Sequence, residues 1–242
     1  MGSTRVNLTE NRTPQFRVLS DDQKETIFNG MIRTLNSTGA HVHNEKAREI
    51  LASNGCTVDN DGLTVYIPPE VVLKALSTVP PVTEVFCWDG DKEKNITIER
   101  GRSYFGPGPT PPNFIDPDTL ERRPYVRKDA SLVARVCDAL PNIGYVQSLG
   151  SISDVTGPLA DIYEFADMIR NTTTPIMSWS FAREGCRDEH RMAVAMAGGE
   201  EQFKRKPNYI FYGEPISPLV SDFHAIDKCM YCAENRIPQV YS

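Results

Sequence analysis

The sequence predicts an α/β fold: a (β/α)8 TIM-type barrel with an α+β region ahead of it. The first observation is a set of four β-rich runs, each preceded by proline. Pro141 precedes NIGYVQSLG, Pro175 precedes IMSWSFA, Pro207 precedes NYIFYGE and Pro238 precedes QVYS. The second is their spacing: 141 to 175, 175 to 207 and 207 to 238 give intervals of 34, 32 and 31 residues. The third is that amphipathic helical patterns fill the gaps. A strand–helix period of about thirty residues belongs to parallel βα architecture. An open doubly wound sheet shares that period. However, no Gly-x-Gly-x-x-Gly follows any strand, so the barrel is favoured over a dinucleotide-binding sheet.

The elements divide the chain into three expected parts. Residues 1–18 read as a flexible N-terminal arm, residues 19–101 as an α+β region, and residues 102–242 as βα units. Ser20 is a good N-cap before Asp21 and Asp22, and Ile27, Met31, Ile32 and Leu35 follow as an apolar stripe. A second helix runs from Asn44 to a stop at Gly55, and GLTVYIPP (62–69) reads as a strand closed by prolines. Glu70 opens a short helix. TEVFCW, NITIE and SYF (103–105) are strand-like. In the second half, Leu132, Val133, Val136 and Leu140 mark one helix, and Leu159, Ile162, Phe165 and Ile169 another. A third is marked by Met192, Ala193 and Met196 and stopped by Gly198-Gly199; Phe223, Ile226, Met230 and Ala233 mark a fourth. About five strands are countable where a closed barrel needs eight. The expectation is therefore the first half of a barrel, belonging to a longer polypeptide or completed by another copy.

Composition excludes several function classes. The net charge of −6 gives no general affinity for nucleic acid. No apolar run reaches membrane-spanning length, and the N-terminus lacks a signal-peptide core. Six scattered cysteines suit a reducing, cytoplasmic setting. Cys229-Met230-Tyr231-Cys232 has the C-x-x-C spacing, but it falls late in a helical pattern with no second pair, so helix packing is the expected role. No metal cluster and no Ser-His-Asp order is visible.

The stretch RSYFGPGPTPPNFID (102–116) is the most unusual. A phosphate cradle needs consecutive free backbone N–H groups, and Pro107, Pro109, Pro111 and Pro112 have none. A spacer, packing against the N-terminal region and a pocket wall remain. The aromatic rings of Tyr104, Phe105 and Phe114 favour the pocket wall.

In a βα barrel, chemistry sits at the C-terminal strand ends. Those ends carry Gln147, Ser148 and Ser151 with Asp154 beyond, then Trp179, Ser180 and Phe181, then Tyr212, Gly213 and Glu214. Converging aromatic faces with a carboxylate are what a quaternary ammonium ion needs. The candidate substrate-binding residues are accordingly Tyr104, Phe105, Gln147, Trp179, Phe181, Tyr212 and Glu214. Ordinary core packing is the competing reading of each, and no catalytic residue is assigned.

Four blocks carry a family resemblance. Residues 31–80, YFGPGPTPPNFIDPDTLERRPYVRKD (104–129), GEPISPL (213–219) and RIPQV (236–240) resemble, in order and spacing, the trimethylamine methyltransferase family. In the second block the matching features are Tyr104-Phe105, Gly106-Pro107-Gly108, Asp116, Arg122-Arg123-Pro124 and Asp129. The resemblance spans residues 20–242. It implies a (β/α)8 barrel enzyme that passes a methyl group from a methylated amine to the cobalt of a separate corrinoid protein. Many relatives act on quaternary amines such as glycine betaine or carnitine. The founding members use pyrrolysine in the C-terminal half of the barrel. The resemblance thus implies a cobalamin cofactor carried by a partner and none bound directly, a small methylated amine as ligand, and a homo-oligomer. The competing readings are a non-catalytic betaine-binding barrel, a trimethylamine-specific pyrrolysine enzyme, and an unrelated barrel lyase or hydrolase.

Overall fold

The computed structural model describes residues 17–108 and 111–241. Of the expected arm only residues 17 and 18 are among them, and both are exposed; residues 1–16 lie outside the described residues. In chain order the elements are α1 (Asp21–Ser37), β1 (Ala40–Val42), α2 (Glu45–Ser53), β2 (Thr57–Val58), β3 (Thr64–Tyr66) and α3 (Pro69–Thr78). Next come β4 (Thr83–Val85), β5 (Ile96–Ile98), β6 (Asn113–Ile115), β7 (Arg122–Pro124), α4 (Arg127–Ala139) and α5 (Ala160–Ile169). The last are β8 (Ile176–Ser178), α6 (Arg183–Ala197), α7 (Glu200–Arg205), β9 (Tyr209–Gly213), β10 (Val220–Ser221), α8 (Phe223–Asn235) and β11 (Gln239–Tyr241).

The chain divides into two compact units, with the boundary passing through α8 and β11. One unit comprises the described residues up to Pro81 together with Glu214–Met230 and Tyr241. Its α1 begins at a capping box. Ser20 Oγ accepts from Gln23 N–H at 3.2 Å, and Gln23 Oε1 accepts from Ser20 N–H at 2.9 Å. Asn44 caps α2 in the same manner, its Oδ1 accepting from Ala47 N–H at 3.0 Å. The strands form one sheet in the order β10-β1-β3-β2, with β1 parallel to β10 and antiparallel to β3. Val42, Ala47, Cys56 and Val65 make its core, with Ile226 and Met230 of α8 packed on them.

The other unit comprises Val82–Gly213 and Tyr231–Val240 among the described residues. Strands β8 and β9 pair in parallel, β11 lies beside β9, and a single parallel bridge joins Val146 to Ile176. This reproduces four successive βα positions. The architecture is mixed α/β with four small sheets among the described residues, none of them closed into a barrel. The first proline-led run yields only that bridge.

The strand pleat sorts side chains between two faces. Ile176, Tyr209 and Phe211 face the helices and share a core with Phe165 and Met168 of α5, Cys186 and Ala193 of α6, Phe203 of α7 and Cys232 of α8. Their neighbours Met177 and Ile210 face the other way, onto Tyr104, Tyr145, Val85, Ile96 and Val240. The β4–β5 hairpin closes the N-terminal ends of these strands. Phe86 N–H donates to Pro207 O at 2.8 Å and Trp88 N–H to Thr173 O at 3.4 Å. Asp138 at the end of α4 ties that end down. Its Oδ1 accepts from Thr172 Oγ1 at 2.8 Å, Thr173 N–H at 2.9 Å and Thr174 Oγ1 at 3.0 Å, and it pairs with Lys94 Nζ at 3.3 Å. Burial alone would raise this carboxyl, but the hydrogen bonds from Thr173, Thr172, Thr174 and Lys94 hold it well below the usual range.

One sequence expectation is corrected. No strand forms over residues 103–105. The prolines beyond them cannot donate to a ladder, and the segment is held by other means: Phe105 C=O accepts from Gly144 N–H at 2.8 Å. Strand pairing appears instead at β6–β7, where Asn113–Ile115 runs antiparallel to Arg122–Pro124. Arg123 explains that hairpin. Its Nε donates to Asp116 at 2.9 Å, Nη1 and Nη2 donate to Asp129 at 2.6 and 2.8 Å, and its guanidinium lies 5.1 Å over the Phe114 ring. Asp129 also accepts from Val126 N–H at 3.0 Å and so caps α4.

Candidate functional site

The C-terminal ends of the parallel segments lie at Gln147–Ser148 and Trp179–Phe181. The chain reaches them because Val146 and Ile176 are fully buried anchors, after which the residues leave the ladder. Phe181 N–H donates to Asp161 Oδ2 at 3.0 Å, which fixes the backbone beyond β8 to the first turn of α5. Gly185 allows α6 to approach there: a Cβ on it would sit 2.5 Å from Asp161 Oδ2. On this frame the Trp179 and Phe181 rings meet edge to face, with centroids 4.7 Å apart.

Beside them lies a buried carboxyl absent from the candidates read from the sequence. Glu164 of α5 is 1 % exposed. Its Oε1 accepts from Ile152 N–H at 2.8 Å. Its Oε2 is buried and lacks a hydrogen-bond partner among the described residues, as does the Trp179 Nε1. Burial pushes the carboxyl up to about 7, against the lowering effect of the Ile152 N–H, Ser148 and Trp179. Tyr125 stands on the same side: burial raises its phenol, and Ser148 and Glu164 are among the groups acting on it. Its hydroxyl is a third buried polar atom lacking a partner. Ser148 Oγ donates to Gly150 O at 2.6 Å.

The sequence candidates fall in different places. Gln147 is 3 % exposed, with its Nε2 buried and unpartnered among the described residues. Trp179 is half-buried, and Phe181 is 50 % exposed. Tyr104 packs in the cluster with Ile210, its hydroxyl accepting from Thr97 N–H at 3.0 Å. Tyr212 is half-buried and, two residues on from Ile210 in β9, shares that face. Phe105 is 68 % exposed. Glu214 is exposed and begins the segment assigned to the other unit. Asp154 serves α4 instead, accepting from Arg127 N–H at 3.0 Å.

The proline-rich loop docks through its glycines and neighbouring tyrosines. A Cβ on Gly106 would lie 2.5 Å from the Tyr145 ring, and one on Gly144 would lie 2.9 Å from the Tyr104 ring. Pro111 O accepts from Ser151 N–H at 3.2 Å. Residues 109 and 110 of the loop lie outside the described residues. Cys229 and Cys232 both lie in α8, Cys232 buried, and no group of three or more His, Cys, Asp or Glu that could hold a metal ion is found among the described residues.

The sequence could have pointed to Glu164 in one way. Asp161, Glu164 and Asp167 recur at three-residue spacing along α5, on the face that also carries buried Met168. Carboxylates on a buried helix face are unusual.

These strand-end positions place the Trp179 and Phe181 rings and the buried Glu164 carboxyl at the C-terminal side of parallel βα units. The chain belongs to the trimethylamine methyltransferase family, whose model matches residues 2–242. It is 26% identical over 223 residues to the trimethylamine methyltransferase MttB of Desulfitobacterium hafniense (strain DSM 10664 / DCB-2), covering 90% of this chain and 44% of that protein. It is 28% identical over 232 residues to trimethylamine methyltransferase MttB of Methanosarcina barkeri (strain Fusaro / DSM 804), covering 93% and 46%. It is 23% identical over 222 residues to the glycine betaine methyltransferase of Desulfitobacterium hafniense (strain Y51), covering 91% and 45%. The chain spans about half the length of the curated relatives it matches.

Proposed function

We propose that this chain carries the amine-facing part of a methyltransferase that moves a methyl group from a quaternary amine of the glycine betaine type to the Co(I) of a corrinoid protein. The observation that carries the reading is the Trp179–Phe181 ring pair beside the buried Glu164 carboxyl, at strand ends in a chain of this family. Aromatic faces and a nearby negative charge are the recognition chemistry of a methylated ammonium. The corrinoid is the methyl acceptor and enters as a partner's cargo.

The chemistry explains why positioning residues suffice. Loss of a methyl from a quaternary ammonium releases a neutral tertiary amine, so the leaving group needs no proton. The side chains therefore have three tasks. The rings hold the cation, a donor such as Gln147 holds the substrate carboxylate, and the surroundings aim one methyl at the acceptor. The hold on the cation stays moderate, because positive charge leaves nitrogen in the transition state. A free tertiary amine is a poorer electrophile and would need activation that these residues do not provide. Trimethylamine is the competing substrate, supported by the names of the relatives at 26% and 28% identity.

The test is methylation of Co(I) cobalamin, followed by its absorbance spectrum. Methylcobalamin formed with glycine betaine but not with trimethylamine is the expected result. The reverse preference overturns the substrate class. A thermal shift on adding betaine, with no methylcobalamin from any amine, favours a binding protein.

A further inference from the structure

The backbone leaves the β ladder after Ser178, the last residue of β8, which pairs with Phe211. Trp179 and Phe181 therefore stand on irregular chain, and Phe181 is half exposed, so packing alone does not set its place. Asp161, in the first turn of α5, supplies a hold. It is buried, its Oδ2 accepts from Phe181 N–H at 3.0 Å, and its Oδ1 accepts from Ile162 N–H at 2.8 Å. Helix α5 uses the same device one turn on, where Glu164 Oε1 accepts from Ile152 N–H at 2.8 Å and holds the loop beyond Val146. Burying a carboxyl group is costly, and two of them bonded to two strand-end loops fix the geometry of those loops.

Gly185 of α6 lies against the same carboxyl. A Cβ there would sit 2.5 Å from Asp161 Oδ2 and 3.0 Å from Ser180 Cβ. Its φ is not positive, so the residue is glycine for space and not for backbone conformation. Glycine weakens a helix relative to alanine, and here it leaves room for the carboxyl that holds Phe181. Ser180, between the two aromatic residues, is buried, and its Oγ donates to Ala182 O at 2.9 Å. On that backbone the Trp179 and Phe181 rings meet edge to face.

We infer that Asp161 is a positioning residue for the ammonium subsite. It acts through the Phe181 N–H, fixing the ring pair in the orientation that a methylated ammonium ion meets, and Gly185 is the companion position that makes the contact possible. This role deepens the proposed function and rests on it for the identity of the ligand. Cation–π attraction requires the cation over the ring face. Freedom at Phe181 is therefore expressed as weaker binding of the cation and not as a change of fold.

The experiment uses the full chain carrying Trp88→Phe, so that Trp179 is the only tryptophan, with tetramethylammonium chloride as the probe and affinity read by calorimetry. Asp161→Ala removes the acceptor, Asp161→Asn keeps an oxygen for Phe181 N–H, and Gly185→Ala pushes on the carboxyl from α6. Asp161→Ala and Gly185→Ala should each weaken binding about tenfold and shift Trp179 emission, and Asp161→Asn should stay within about twofold. The double variant should bind no worse than Asp161→Ala alone, because both changes act at one contact. Asp167→Ala is the control for a merely structural role. Asp167 lies on the same helix and bonds Arg127 at 2.7 and 2.8 Å, so its loss should leave affinity within about twofold. Hydrogen exchange on the unmutated chain depends on no variant folding: the Phe181 amide should exchange at least about tenfold more slowly than an unbonded one. A Phe181 amide as fast as free peptide overturns the inference. Unchanged affinity in Asp161→Ala, equal weakening in the Asn and Ala variants, or equal weakening in Asp167→Ala overturns it too. Failure of the unmutated chain to bind tetramethylammonium, with slow Phe181 exchange and an emission shift in Asp161→Ala, upholds the positioning and overturns the ammonium reading.

Discussion

Gly106→Ala tests how the proline-rich loop is seated. A Cβ on Gly106 would lie 2.5, 2.6 and 2.7 Å from three carbons of the Tyr145 ring. Ordinary carbon contacts need roughly another 1 Å. The loop cannot lift easily, because Phe105 C=O next door accepts from Gly144 N–H at 2.8 Å. Tyr145 cannot retreat easily either, because it packs with Ile210, Met177 and Tyr104. The expected loss is therefore that of an overpacked site, about 1–3 kcal/mol. Gly108→Ala supplies the internal control. Nothing lies within 4 Å of a Cβ there, and its φ is not positive, so the change should be neutral or stabilise by about 0.5 kcal/mol. The assay is denaturant unfolding followed by tryptophan emission, since Trp88 and Trp179 both belong to the unit carrying the loop. Combining Gly106→Ala with Tyr145→Ala should cost less than the sum of the two. Equal stability of the two glycine variants would refute the close approach.

Glu164 makes stability depend on pH. Its carboxyl rises from 4.5 when unfolded to about 7 when folded, so the folded state holds the proton more tightly. The stabilisation is fully present below 4.5 and is lost as pH rises through about 7, a change of about 3 kcal/mol that Glu164→Gln should abolish in pH-dependent unfolding. Asp138 works in the opposite sense. Its carboxyl is depressed on folding, so its contribution is present above 3.8 and lost at lower pH. Asp138→Ala should cost about 2 kcal/mol at neutral pH in the same unfolding assay, because it strands the threonine donors of residues 172–174. Arg123→Lys keeps the charge but loses the fork to Asp129 and the stacking on Phe114, for an expected loss of about 1–2 kcal/mol. Phe105→Ala should leave stability within about 0.5 kcal/mol, since the ring is 68 % exposed, and should weaken betaine affinity by calorimetry. Unchanged affinity would make the loop scaffold rather than pocket wall.

Much of the fold was readable because it rests on local signals. The Ser20 and Asn44 caps, the Gly198 stop and the proline-led runs at β8, β9 and β11 are short-range features, and they lie where the sequence put them. The parallel pairing followed from the spacing of those runs. The β6–β7 hairpin was not readable, because Arg123 becomes its pin only through Asp116 and Asp129, seven and six residues away. The strand expected at Tyr104 failed for a related reason. Its β propensity was outweighed by the prolines that follow and by docking of the glycines on Tyr145.

At the site, reading strand ends brought Gln147, Trp179 and Phe181 into view. It missed Glu164, because that residue sits on a helix, within the stripe that Tyr163 and Phe165 make look purely apolar. Only packing shows that this carboxyl turns inward and reaches the strand ends.

The most direct test of the central claim is a calorimetric titration comparing glycine betaine with 3,3-dimethylbutyrate, which has the same shape with carbon in place of the charged nitrogen. The account predicts that betaine binds, that the isostere lacking the cation does not, and that Trp179→Ala removes the difference. Equal binding of the two, or a preference that survives the loss of Trp179, would contradict it.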